Sequence, residues 1–123
     1  MTAHLAALLL LLSVNLGLPA PVTVHVTYYL DHGLNRWGGL YGCPARAEAG
    51  GGVSTDPGVI PPGSLVLIPG VGLRRTCDTG GGVRGNMVDI WVASRTDGQR
   101  IARQGSRREV LVWKGRREII GYP

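Results

Sequence analysis

The sequence contains no phenylalanine and a single lysine, and only 17% of its 123 residues are charged. With 44% hydrophobic residues, this composition excludes the highly charged, weakly hydrophobic class of disordered chains. Apolar runs that reach the roughly 20 residues of a membrane-spanning helix are absent. Long amphipathic helical stretches are also missing, which disfavours a helix bundle. Because domains usually have about 100 to 200 residues, the chain is predicted to form one folded domain.

Cysteine is scarce, with only Cys43 and Cys77, 34 positions apart. Neither belongs to a CxxC pair, so a four-ligand zinc site is not supported. One disulfide between them is the prediction for an exported protein. Two unpaired thiols are the alternative, because sequence spacing does not give the distance between the two Cα atoms.

Acidic residues are few, eight against 13 Lys and Arg, which leaves a net charge of +5. This excess favours an anionic partner. The arginines are scattered, and no nucleic-acid-binding motif accompanies them, so no nucleic-acid partner is expected. A polyanionic cell wall would account for the same charge.

Residues 1–20 form a hydrophobic leader, apolar from Leu5 to Leu12 and interrupted at Asn15, Gly17 and Pro19. Its length and pattern predict a signal peptide, and therefore export to the cell envelope or beyond. The alternative is a misassigned start codon or a hydrophobic N-terminal strand, either of which would leave the protein cytoplasmic. The domain itself is expected at residues 21–114, followed by a basic tail at 115–123.

Glycine is abundant, with 20 residues, and turn residues separate short apolar runs. Closure into a barrel would remove the exposed edges of such short strands, so an all-β, closed six-stranded barrel is expected. One short helix is predicted at Ile101–Gln104, opened by Asp97 and closed by Gly105. The strands are predicted at Val22–Leu30, Val53–Thr55, Leu65–Ile68, Val71–Cys77, Met87–Val92 and Val110–Trp113.

A long loop is expected between Asp31 and Gly52, and loops of this length usually have a function. Its Trp37 and Tyr41, with Tyr28 or Tyr29 beside them, would either stack on sugar faces or pack on the barrel.

Three aspartates lie in apolar or glycine-rich surroundings: Asp56, Asp78 and Asp89. Asp56 precedes Pro57 and Asp78 precedes Thr79 and three glycines, so both have an ordinary interpretation as turn residues. Asp89 lies between Val88 and Ile90 in a predicted strand, where a carboxylate costs folding free energy unless it is hydrogen-bonded or exposed in a cleft. Asp89 is therefore the strongest candidate for a functional acid.

The segment STDPGVIPPGSLVLIPGVGLRRTCDTGGGVRGNMVDIWV carries six ordered elements. They are Asp-Pro, Ile-Pro-x-Gly, Ile-x-Gly-x-Gly, Asp-Thr-Gly-Gly, Arg before Gly, and Val before Asp. The chain resembles the 3D domain, named for its three aspartates, which also forms the catalytic barrel of membrane-bound lytic transglycosylase A and of small stationary-phase survival proteins. Three departures are Ala45–Gly50, where the family carries a Thr-Ala-Ser-Gly-like stretch, Pro62, where Leu is more common, and Arg84, where Lys is common.

The resemblance implies a double-psi β-barrel with lytic transglycosylase activity on peptidoglycan glycan strands. The MurNAc-GlcNAc β-1,4 bond would be cleaved without water, leaving a 1,6-anhydro product. Asp89 matches the catalytic position, and its apolar neighbours would raise its pKa by desolvation. Asp78 is the expected second catalytic aspartate. The expected substrate-binding or supporting residues are Asp56, Thr79, Gly80, Gly81, Arg84 and Tyr28. No cofactor or metal is implied, and a monomer is expected.

Two other functions compete with this one. Asp78-Thr79-Gly80 is also the triplet of aspartic proteases, although Arg74 and Arg75 precede it where those enzymes have apolar residues. The stronger rival is a non-catalytic wall-binding or wall-loosening module, as in expansin-like double-psi barrels, because a fold does not guarantee an activity.

Overall fold

A computed structural model describes residues 3–30, 52–78 and 82–115, with side chains throughout except at residues 14–16, 77 and 78. The second, third and fifth predicted strands have the observed bounds, whereas the first, fourth and sixth are shifted or extended by one to three residues. The predicted loop from Asp31 and most of the basic tail lie outside the described residues. The elements are α1 (Ala3–Leu16), β1 (Ala20–Leu30), β2 (Val53–Thr55), β3 (Leu65–Ile68), β4 (Gly72–Asp78), β5 (Met87–Val92), α2 (Arg95–Arg103) and β6 (Arg107–Trp113).

The strands close into a barrel in the order β1-β5-β2-β4-β3-β6. Two neighbouring pairs, β1–β5 and β2–β4, are parallel, and the remaining pairs are antiparallel. Parallel neighbours require crossover connections, which a simple meander would lack. The expected all-β, six-stranded barrel of the double-psi class is therefore confirmed.

The barrel interior is filled by β-branched aliphatic side chains, which suits a sequence without phenylalanine. Alternate residues of each strand point inward, as the two-residue period of a strand requires. Burial of each such side chain stabilises the fold by about 1.5–3 kcal/mol. The core comprises Val24, Val26, Val53, Ile60, Val66, Ile68, Val88, Ile90, Val92, Ile101, Val110 and Val112.

Helix α2 begins six residues earlier than the sequence predicts, at Arg95 instead of Ile101. Ser94 is the N-cap, and its hydroxyl oxygen accepts a hydrogen bond from the Asp97 backbone N–H at 3.1 Å. Asp97 was predicted as the residue that opens the helix because this serine was overlooked, and its hydroxyl satisfies a free N–H of the first turn. Gly98 of α2 lies against the ring of Tyr28, so the helix packs closely on β1.

The side chain of Arg108 is buried and joins α2 to the turn between β3 and β4. Its Nε donates to the Gly105 carbonyl at 2.7 Å, and one terminal nitrogen donates to the Pro69 carbonyl at 3.1 Å. The other terminal nitrogen donates to the Ile101 carbonyl. A guanidinium at a helix C-terminus satisfies carbonyls that the helix leaves unpaired.

The leader forms a helix, α1, in addition to the one helix that the sequence predicts for the chain. The run of leucines has high helix propensity, which that prediction did not take into account. Leu5 and Leu9 of α1 line a cavity of about 320 Å³ with Leu67 and Leu111 of the barrel. No helix among the described residues has the length and apolar character needed to cross a membrane.

Candidate functional site

Four polar residues lie side by side across four neighbouring strands. Thr27 of β1 is the register partner of Asp89 of β5. Asp89 is in turn opposite Ser54 of β2, and Ser54 is opposite Asp78 of β4. We call Thr27, Asp89, Ser54 and Asp78 the polar row. The fold thus brings together two aspartates that are separated by 11 positions in the sequence.

Asp89 lies on the outer face of the barrel, because its neighbours Val88 and Ile90 point into the core with 0% and 1% exposure. The Thr27 hydroxyl donates to Asp89 Oδ1 at 2.6 Å. This length is typical of a charge-assisted O–H···O⁻ bond. Among the described residues, no second hydrogen bond reaches the Asp89 carboxyl group.

Burial raises the pKa of Asp89 above its ordinary value, and the hydrogen bond from Thr27 lowers it by a smaller amount. Desolvation disfavours the charged form of a carboxyl group, whereas a donor stabilises that form. The pKa of the half-buried Asp89 is thus shifted upward, the direction in which general-acid chemistry near neutral pH requires a carboxyl group to move.

Ser54 lies between the two aspartates in the polar row and is buried, with 3% exposure. Its hydroxyl donates to the Tyr29 hydroxyl oxygen at 3.3 Å. Asp78 is two strands away from Asp89, which corresponds to about 10 Å between their Cα atoms at the usual strand spacing. The backbone of Asp78 is described, but its side chain is not.

Asp56 joins two turns at the end of β2. Its Oδ1 accepts a hydrogen bond from the Gly58 N–H at 3.0 Å, and its Oδ2 accepts one from the Gly85 N–H at 2.8 Å. The Gly85 and Gly58 amides hold the pKa of Asp56 below its ordinary value, and the charge of Arg84 lowers it slightly further. Its carboxylate thereby fixes the loop that leads into β5 and Asp89.

The structure describes some of the other predicted site residues and not others. Arg84 is exposed beside Gly85, and the Tyr28 ring packs against Gly98 and the core. Thr79, Gly80, Gly81, Cys43, Trp37 and Tyr41 lie outside the described residues, as does the side chain of Cys77, so the disulfide stays a prediction. In the described ranges, no three His, Cys, Asp or Glu residues are grouped as metal ligands.

Sequence reasoning missed Thr27 and Ser54. The alternation in VTVHVTYYL does place Thr27 on the polar face of β1. Its partner could not be predicted, because β1 and β5 are far apart in the chain and only the barrel register joins them.

The structure thus combines a small closed barrel with a half-buried carboxyl group on its outer face. The family model described as the 3D domain matches residues 52–114, more than half of the chain. The chain therefore belongs to the 3D-domain family, as its motifs indicated.

A stretch of 45 residues is 44% identical to the cell wall-binding protein YocH of Bacillus subtilis (strain 168). The match covers 37% of this chain and 16% of that relative. The chain thus corresponds to a small part of the relative's length.

Proposed function

We propose that this protein is a lytic transglycosylase that cleaves the MurNAc-GlcNAc β-1,4 bond of peptidoglycan in cell-wall turnover at the cell envelope. Protonated Asp89 gives its proton to the glycosidic oxygen as the bond from the MurNAc anomeric carbon breaks, and GlcNAc leaves as an alcohol. The Asp89 carboxylate then takes the proton of the MurNAc 6-hydroxyl as that oxygen bonds to the anomeric carbon. The 1,6-anhydro product forms, no water is consumed, and the acid is regenerated.

The observation that carries this proposal is the environment of Asp89. A carboxyl group that must first be an acid and then a base needs a pKa closer to the working pH than that of a free aspartate. Burial raises the pKa of Asp89 in that direction, and Thr27 fixes one of its oxygens. Membership of the 3D-domain family gives independent support, through the catalytic barrels that the family includes.

The neighbouring residues have supporting roles in this mechanism. Asp78, two strands from Asp89 in the polar row, is assigned to raise the pKa of Asp89 by its charge and to bind glycan hydroxyl groups. Asp56 holds the loop before β5. Thr79, Gly80, Gly81 and Arg84 are assigned to the glycan-binding surface. Tyr28, which the sequence also suggested for this surface, is left out because its ring packs against Gly98 and the core, on the other face of β1 from Thr27.

The test is mass spectrometry of purified peptidoglycan after incubation with the full chain. The expected product is a set of 1,6-anhydro muropeptides, and Asp89→Asn is expected to abolish them. Asp97→Asn is the matched control, since Asp97 is an acid on α2 whose exposed ion pair with Arg100 is worth at most about 1 kcal/mol. Reducing-end products without the anhydro ring, or full turnover by Asp89→Asn, would contradict the assignment.

A second candidate is binding to the wall without cleavage, as the name of the Bacillus subtilis relative indicates. The net charge of +5 fits attraction to an anionic wall. Sedimentation of the chain with insoluble walls, with no anhydro product released over the same period, would establish this function in place of catalysis.

A further inference from the structure

An open cavity of about 280 Å³ lies on the barrel surface near Asp89. Its lining comprises Thr23, Val24 and His25 of β1, Asn86 before β5, and Arg107 of β6. We call it the Arg107 cavity. Thr23, His25 and Thr27 share the outer face of β1, since they alternate with the buried Val24 and Val26. The cavity and Asp89 therefore open onto the same surface.

Backbone hydrogen bonds hold the three segments of this cavity together. The His25 N–H donates to the Asn86 carbonyl at 2.9 Å, and the Val26 N–H donates to the Ser106 carbonyl at 2.6 Å. Arg107 is the register partner of His25, so the two side chains emerge side by side on the outer face. The cavity is thus built on strand pairing and not on a free loop.

Arg107 is exposed and, among the described residues, has no carboxylate within 4.0 Å, whereas Arg100 is paired with Asp97. Glu109 is the register partner of Thr23 and lies two residues further along β6 on the same face. A guanidinium with unused donors is a binding group for an anion with two coplanar oxygens. The nearby Glu109 charge favours a singly charged ligand over a doubly charged one, because like charges repel.

We propose that the Arg107 cavity binds a carboxylate of the stem peptide carried by the peptidoglycan strand. This inference rests on the proposed function, because it takes the wall glycan as the ligand. His25 and Thr27 are two residues apart, about 7 Å along an extended strand. A glycan whose scissile bond lies at Asp89 would therefore place a substituent of an adjacent sugar at Arg107. Asn86, His25 and Thr23 supply further hydrogen-bonding groups.

Binding of a defined fragment tests the inference without any cleavage. The probe is the GlcNAc-MurNAc disaccharide with its stem peptide, which contains no MurNAc-GlcNAc bond. It is titrated into the full ¹⁵N-labelled chain beside the same fragment with its carboxylates amidated. The carboxylate form is expected to bind about tenfold more tightly, the scale of one charge-assisted contact. The amide signals of His25, Asn86 and Arg107 are expected to shift.

Arg107→Gln is expected to remove this preference, whereas Arg103→Gln, the same change at an exposed α2 position outside the cavity, is expected to keep it. Equal affinity for the two fragments, an unchanged preference in Arg107→Gln, or no binding of either fragment would overturn the inference. Tighter binding of glycerol phosphate than of the carboxylate fragment would also overturn it, and would indicate a phosphate polymer. The proposed cleavage is tested by a separate experiment. Absence of anhydro product from intact peptidoglycan would contradict it, whatever the fragments bind.

Discussion

The Thr27 hydroxyl donates to Asp89 Oδ1 across the parallel β1–β5 pair at 2.6 Å. This bond stabilises the carboxylate, while the surrounding protein destabilises it by excluding water. Among the described side chains, two opposing effects thus act on the pKa of Asp89, and burial is the larger. Thr27 holds Asp89 in place and moderates the upward shift of its pKa.

Thr27→Val removes the donor and keeps the shape of the side chain. Because the hydrogen bond lowers the pKa of Asp89, its loss is expected to raise that pKa further. In the pH profile of the cleavage rate on a soluble glycan, the alkaline limb should move to higher pH. The rate at the optimal pH should fall by less than tenfold. Thr27→Ser, which retains the hydroxyl, should keep the wild-type profile. An alkaline limb at the same pH in Thr27→Val as in wild type would show that this hydrogen bond does not influence the pKa of Asp89.

Asp78→Asn tests whether the two aspartates of the polar row are coupled. A like charge raises the pKa of a neighbouring carboxyl group, so its removal is expected to move the alkaline limb of the residual activity to lower pH. Most of the activity should be lost as well. Measurement of the cleavage rate from acidic to neutral pH checks this shift. An alkaline limb at the same pH as in wild type would mean that the charge of Asp78 does not raise the pKa of Asp89.

Asp89→Asn has an expected effect on stability as well as on activity. A carboxyl group with a raised folded-state pKa contributes stability below its unfolded pKa and loses that contribution as the pH rises through the folded value. At pH 7 the buried carboxylate therefore opposes folding, and the amide does not. The variant should unfold at an equal or higher temperature than wild type at pH 7, with the difference disappearing in acid. A clearly lower midpoint at pH 7 would assign Asp89 a structural role.

Asp56→Asn is expected to lower the thermal midpoint of unfolding by a few degrees at pH 7. The rate of glycan cleavage by the folded protein should stay near that of wild type. Each carboxylate oxygen accepts one backbone N–H, and an asparagine replaces one acceptor with a donor. Since the pKa of Asp56 is lowered, its contribution is present above the ordinary aspartate pKa of about 3.9 and lost as the pH falls through the folded value. Wild type and variant should therefore converge in acid. Glu109→Gln, an exposed acid, is the control that should not change the midpoint.

Gly98→Ala is expected to destabilise the protein by about 1–3 kcal/mol, because a Cβ at this position would collide with the Tyr28 ring. Helix propensity alone would predict stabilisation by about 1 kcal/mol. Gly82→Ala is the control, since no atom of the described residues lies within 4 Å of its added Cβ. Denaturant unfolding of Gly98→Ala, Tyr28→Leu and the double variant should show coupling between the two positions. Additive effects would contradict the close packing of α2 on β1.

The local part of the fold was predictable from the sequence. Short apolar runs bounded by turn residues are a local property, so β2, β3 and β5 were predicted with their observed bounds. Asp89 was also identified, because an acid between the apolar residues Val88 and Ile90 is recognisable from the sequence alone. Thr27 and Ser54 were not, since only long-range strand pairing makes them its neighbours. The start of α2 was misplaced because the capping role of Ser94 was overlooked.

Arg108 connects the turn at Pro69, which lies 39 positions before it in the chain, to the C-terminal end of α2. Opening any one of these segments would leave a buried guanidinium without part of its hydrogen-bonding shell, which is costly. The β3–β4 turn and α2 are thus expected to open as one cooperative unit, with matched rates of amide hydrogen exchange. Local fraying of either segment alone is suppressed by a residue that belongs to neither.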